Sequence, residues 1–213
     1  MSKKFLLVAL AFAVIGLVPV AAQETDPGDD SFVPRYITNQ RALGEQSFAI
    51  SAGTSIPLFT LLLNNNATAG KAAGVHPTNL SVGGMGSLAY NFYVSSAIKL
   101  GLQVGGTFQW DINKNLLYMV PIFAKATYEF QVWDRFTIPV HLGLGINMTS
   151  WKSNFMVDPI IKPGVGFYFD WSSEWSFGLD TSYWFVPQLV VNDAQDKAIG
   201  NFMDVTISAE YHF

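Results

Sequence analysis

Residues 98–110 read IKLGLQVGGTFQW. Ile98, Leu100, Leu102, Val104, Gly106, Phe108 and Trp110 alternate with Lys99, Gly101, Gln103, Gly105, Thr107 and Gln109. A period of two is the mark of a β-strand, whose side chains point alternately to opposite faces. The run is long, against about 5–6 residues for the strand of a soluble protein. About 10 residues at a 3.3 Å rise, tilted near 40°, span ~25 Å, the height of the apolar band of a membrane β-barrel.

The same alternation recurs on both sides of this segment. Apolar faces run over Phe48–Ile56, Leu80–Tyr90, Tyr118–Phe130, Ile138–Met148, Ile161–Trp171, Trp175–Phe185 and Met203–Phe213. The spacing predicts tight links near 92–96, 131–135 and 171–174, and longer loops over 57–79, 111–117, 149–159 and 187–200. Eight strands with short turns at one end and longer loops at the other describe an antiparallel barrel with both termini at the short-turn end.

Composition agrees. Of 213 residues, 50% are hydrophobic, 15% aromatic and only 13% charged, against about 25% charged in a soluble domain. Mean hydropathy is +0.26. Twelve Lys and Arg face sixteen Asp and Glu, a net charge of −4, which excludes a basic nucleic-acid footprint. With no cysteine, disulfide scaffolds, thiolate metal sites and cysteine nucleophiles are excluded.

The beginning of the chain reads as a targeting segment. Lys3 and Lys4 precede the apolar run Phe5–Val18, Pro19 breaks it, and Val20-Ala21-Ala22 offers a cleavage site. The run is shorter than the roughly 20 residues a membrane helix needs. The expected organisation is a cleaved secretory signal over 1–22, an acidic, turn-rich periplasmic leader over 23–44, and a barrel over 45–213. No second long apolar run follows; the best candidate, Leu116–Ala124, is interrupted by Pro121.

Alternation alone does not say which face is inside. A lipocalin-like soluble barrel turns its apolar face inward and needs a charged exterior. Here the other face is mostly Gly, Ser, Thr, Ala and Asn, and aromatics gather at the ends of the apolar faces. Tyr90, Phe92, Tyr128, Phe130, Phe169, Trp171, Trp175 and Phe177 lie near one rim, and Trp110, Tyr118, Tyr183 and Phe185 near the other, as in interfacial girdles. The expected fold is therefore all-β, an eight-stranded antiparallel transmembrane β-barrel with periplasmic termini.

The last strand, with Val205, Ile207, Ala209, Tyr211 and the terminal Phe213 alternating, resembles the C-terminal insertion signal of bacterial outer-membrane β-barrel proteins. Over Gln46–Phe213 the chain is similar to the small eight-stranded OmpX, OmpA-transmembrane and OmpW types. The resemblance implies outer-membrane localisation, contact with outer-membrane lipid, and recognition of Tyr211 and Phe213 by the barrel-insertion machinery.

The inward face carries Lys99, Lys125 and Lys162 against Glu129, Asp170, Asp180, Asp204 and Glu210. Charges in so narrow an interior must pair or meet water, and Lys99 and Glu129 stand on neighbouring strands near the short-turn rim. Inward glycines such as Gly143 and Gly178 leave space or permit curvature. Sorting by depth places Met119, Phe123, Ile160, Trp184 and Phe202 inward near the long-loop mouth: a ligand-binding cup above a polar floor, or the packing of the barrel's upper end. The OmpW resemblance implies passage of small hydrophobic molecules. The other five tryptophans are expected in turns, loops or the lipid belt. Pro121, Pro139 and Pro163 are expected to mark bulges or a lateral gap.

Function reads as a narrow conduit or binding cup for a small hydrophobic solute. The alternative is a structural, adhesin-like barrel acting through its long loops. The first of these, Pro57–Asn79, opens on Leu58, Phe59, Leu61, Leu62 and Leu63 and discriminates the two by whether its leucines fold down. No enzyme, cofactor or metal is expected. Ser208, Glu210 and His212 share a face but sit at the chain end, and Asn192, Asp193 and Asp196 lack the loop geometry of a calcium site.

Burial of one interfacial aromatic contributes ~1–3 kcal/mol, small beside a whole barrel wall. Phe213→Ala should therefore lower the membrane-inserted yield in cells yet refold in detergent nearly as well as the parent. Yields of the two in membrane fractions and in refolding reactions check this.

Overall fold

In a computed structural model of the chain, the described residues are 41–64, 72–151, 154–188 and 197–213. The expected signal segment, the leader up to residue 40 and the Asn192–Asp196 cluster lie outside them. Nine strands form among the described residues: β1 Gln46–Leu62, β2 Gly74–Pro77, β3 Gly83–Tyr93, β4 Ile98–Trp110, β5 Leu116–Trp133, β6 Phe136–Trp151, β7 Asn154–Asp170, β8 Trp175–Gln188 and β9 Ala198–His212. Every neighbouring pair is antiparallel, and β9 pairs back onto β1. β1 and β3–β9 are the eight staves of a closed barrel. β2 is a short addition that pairs with the upper part of β1. Gln46 and Phe213 exchange backbone hydrogen bonds of 3.0 and 2.9 Å, so both ends of the barrel chain meet at one rim.

The faces are inverted relative to a soluble barrel. Leu102 and Ile207 are 66% and 67% exposed on the outer wall, while Ser47, Asn91, Lys99, Glu210 and His212 are buried inside. The outer wall carries aromatic pairs near the terminal rim: Tyr128 with Phe130, Trp175 with Phe177, and Tyr211 with Phe213. A wall so apolar fits lipid.

Register fixes the geometry. Followed once around from Ile160 through Gly145, Phe123, Gln103, Ala89, Ala49, Glu210 and Ser176, it returns to β7 at Asp170, ten residues from the start. Eight strands with this stagger tilt by roughly 40–45° and leave an interior just wide enough for side chains. Rows of register partners therefore spiral from the mouth to the terminal rim.

Two expectations change. The strands outrun their apolar faces, so the interval 149–159 is largely ladder, not loop, while the loop expected over 111–117 shortens by two residues. β4 and β5 are joined by residues 111–115, and β6 runs to Trp151 with β7 starting at Asn154. Above the apolar band the backbone stays paired although the alternation fades. Second, Pro121, Pro139 and Pro163 make no bulges. At Pro121 the β4–β5 ladder skips from Val104↔Ile122 to Thr107↔Met119 in unchanged register. Equivalent skips face Pro139 across β6–β7 and Pro163 across β7–β8. Each proline lacks the donor for one side only and keeps its partner on the other: Asn147, Glu129 and Leu142 respectively. The register shifts lie instead between Pro57 and Phe59 and between Gln131 and Trp133.

The inward glycines are filled in by neighbours. A Cβ on Gly143 would lie 2.5 Å from the Phe123 ring, and one on Gly178 2.5 Å from the ring of Tyr168. Gly143→Val should lower the stability of the refolded barrel by about 1–3 kcal/mol through overpacking, measured as a shift of the urea midpoint in detergent.

Candidate functional site

At the mouth lies a recess of about 430 Å³. Its wall is built from Leu117 and Met119 of β5, Thr149 and Trp151 of β6, Met156 of β7, Val186 and Gln188 of β8, and Phe202 of β9. Thr60 and Leu62 of β1, residues 76–80 and residues 111–113 complete it. Of the five residues expected to line a cup, Met119 and Phe202 do. Phe123, Ile160 and Trp184 lie beneath them in one apolar cluster with Met85. Trp184 is 0% and Ile160 1% exposed: they are the packed floor. Trp151, expected in a loop or the lipid belt, stands in the recess wall instead. Leu117 and Val186 were legible in principle, because each continues the inward phase of its strand, whereas Leu62 faces inward only because the register shift between Pro57 and Phe59 flips the phase of β1. Leu58–Leu62, expected in the first loop, belong to β1, and Leu61 and Leu62 pair with Ile199 and Ala198.

Below the floor the interior is ionic. Asp204 accepts from Trp184 Nε1 at 2.5 Å and from the Ser182 backbone N–H at 3.1 Å, and Lys162 Nζ lies 2.7 Å away. The same ammonium sits 4.6 Å from the Trp184 ring centroid and 5.3 Å from that of Phe123. A layer lower, His141 meets Asp180 at 3.0 Å, beside half-buried Lys125 and a small cavity of about 30 Å³. Lower still, Lys99 lies 2.7 Å from both Glu129 and Glu210. Tyr93 donates to Glu129, and Ser47 and Asn91 donate to Glu210.

The terminal rim is closed by a residue that strand patterning does not reveal. Arg41 donates to Asp170 at 3.1 Å, to Ser176 at 3.2 Å and to the carbonyl of Ser173 at 2.8 Å, and pairs with Glu45 at 3.3 Å. A recess of about 200 Å³ lies against it. The shared face of Ser208, Glu210 and His212 does not bring them into one relay. Ser208 bonds Ser51, Glu210 bonds Lys99, and His212 Nε2 lies 3.0 Å from Ser176 Oγ. The Ser176 hydroxyl in turn donates to Asp170 at 2.5 Å.

Four buried oxygens near the mouth have no hydrogen-bond partner among the described residues: Thr107 Oγ1, Gln109 Oε1, Asn147 Oδ1 and Asp158 Oδ2. Thr107 and Gln109 are the β4 register partners of Met119 and Leu117. Asn147 and Asp158 are partners across β6–β7, next to the pair Thr149–Met156. All four thus flank residues of the recess wall.

A protein-family model matches residues 26–211. An uncharacterized protein of Borreliella burgdorferi is 27% identical over 130 residues, covering 51% of this chain and 61% of the relative. One of Treponema pallidum is 28% identical over 131 residues, covering 62% and 59%. The chain thus spans about three fifths of the length of these relatives. Among solved structures, Neisserial surface protein A superposes with a TM-score of 0.57 at 9% identity, over 80% of this chain and 97% of that one. The outer membrane protein OprG from Pseudomonas aeruginosa gives 0.49 at 10% identity, over 82% and 98%.

The Lys162–Asp204 pair is nearly inaccessible, with side chains 2% and 1% exposed. Removing one partner of such a pair strands the other charge, at a cost of about 3–5 kcal/mol. Lys162→Met should destabilise the barrel on that scale in urea titrations, and adding Asp204→Asn should recover most of the loss.

Proposed function

We propose, for a chain that belongs to the family matched over residues 26–211 and has the fold of the small outer-membrane β-barrels, that it is an outer-membrane protein whose mouth recess binds small hydrophobic solutes. In this reading the N-terminal signal exports it, the insertion machinery reads Tyr211 and Phe213, and the termini face the periplasm. The observation that carries the reading is the recess of about 430 Å³ walled by Leu117, Met119, Trp151, Met156, Val186 and Phe202. Its floor of Phe123, Ile160 and Trp184 favours a binding cup over a conduit, because the packed layer separates the recess from the ionic interior. The protein binds rather than catalyses. Burying ~200 Å² of ligand at roughly 25 cal/mol per Å² gives about 5 kcal/mol before association costs, so a ligand of that size binds with a Kd of about 0.2 mM at best.

A second reading, surface interaction through the mouth segments, is favoured by Val75, Ile112 and Phe155, which are large, apolar and exposed at that end. Ligand binding and conduction separate the two. A small apolar ligand should quench Trp151, the quenching should vanish in Trp151→Phe, and Phe202→Asp should weaken binding because an unpaired carboxylate in an apolar recess is costly. In planar bilayers the protein should show no steady conductance. Unchanged affinity in Phe202→Asp moves the surface reading ahead, and an open channel removes the cup.

A further inference from the structure

The structure assigns the recess a ligand with a cationic head: an amphiphile of the alkylammonium class, its chain against the apolar wall and its N–H donors directed to the acceptors around Asp158. This rests on the recess reading above. A purely apolar solute accounts for the lining by Leu117, Met119, Val186 and Phe202 but not for the four oxygens buried just behind that lining.

Asp158 is 2% exposed and Asn147 0% exposed. Buried polar atoms almost always have partners, and these lack one among the described residues. All four are oxygens and can accept, and one belongs to a carboxylate. Thr107 and Gln109 on β4 are the partners of Met119 and Leu117, while Asn147 on β6, the partner of Pro121, pairs with Asp158 on β7 one inward step below Thr149 and Met156 of the recess wall. The nearest inward cation on the same strand, Lys162, is held by Asp204 at 2.7 Å. Nothing cationic among the described residues pairs with Asp158. An ammonium brings three donors and the complementary charge. A carboxylate head brings neither and meets Asp158 as a like charge.

The test uses the full protein in phosphatidylcholine nanodiscs near pH 7. Octylammonium, octanol and octanoate are titrated below their micellar range, Trp151 fluorescence is read, and the same titration of Trp151→Phe is subtracted. Octylammonium should bind about tenfold more tightly than octanol, as a desolvated charge pair allows, and octanoate most weakly. Asp158→Asn, nearly isosteric, should abolish the ammonium preference while leaving octanol affinity unchanged, and Asn147→Leu should reduce the preference in part. Equal affinities for octylammonium and octanol, or a preference that survives Asp158→Asn, overturns the cationic head and leaves the apolar cup standing. Binding of none of the three overturns both.

Discussion

In a lipid-facing wall every backbone N–H and C=O must find its partner within the protein, since no water is available there and each unmet group costs several kcal/mol. The pairing of β9 with β1 meets that demand by leaving the sheet no edge. The rest follows from closure. Eight strands and a stagger of ten residues set a narrow interior. The narrow interior dictates small residues on the inward face, and where rings do enter, as at Phe123 and Tyr168, a glycine stands opposite. Even the three prolines obey the rule. Each gives up pairing on one side only, and the register continues past it.

The interior changes character with depth. Near the mouth it is apolar, and the packing of Phe123, Ile160 and Trp184 makes a barrier. Beneath them each carboxylate of the central layers has a cation or an N–H donor within hydrogen-bond distance, and Lys162 also rests on two aromatic faces. Such pairing is what allows charge in so dry a place. The terminal rim is sealed differently, by Arg41 reaching across from the segment before β1 to the β7–β8 turn.

Much of this was legible in the residues. Strict alternation over Ile98–Trp110 and its seven counterparts is a direct consequence of the pleat, so the staves of the barrel and the meeting of its ends could be read from the period and the loop spacing, and the sparsely charged second face with the aromatic ends then showed which face is inside. Lys99 and Glu129 could be placed side by side because both sit near the same rim of adjacent strands. The recess was only half legible. Met119 and Phe202 were found by depth, whereas Leu117 and Trp151 were missed because the strands continue into stretches that read as loops, and Val186 because it lies one residue past the end of its apolar face. Arg41 was invisible for another reason: it belongs to no strand, and its role depends on partners more than a hundred residues away. The orphan oxygens of Asn147 and Asp158 are a property of packing, and no periodicity signals an absent donor.

The seam between β1 and β9 also bears on the order of events. Its partners, such as Ser47 with His212 and Phe48 with Tyr211, are the most distant in sequence of any in the wall, so they carry the largest loop-closure entropy. Every other seam joins strands close along the chain and can form as a growing ribbon of hairpins. Until the final strand arrives, that ribbon has two bare edges. Closure thus carries the largest entropic cost of any seam, and without β9 the wall would be left with β1 and β8 as open edges.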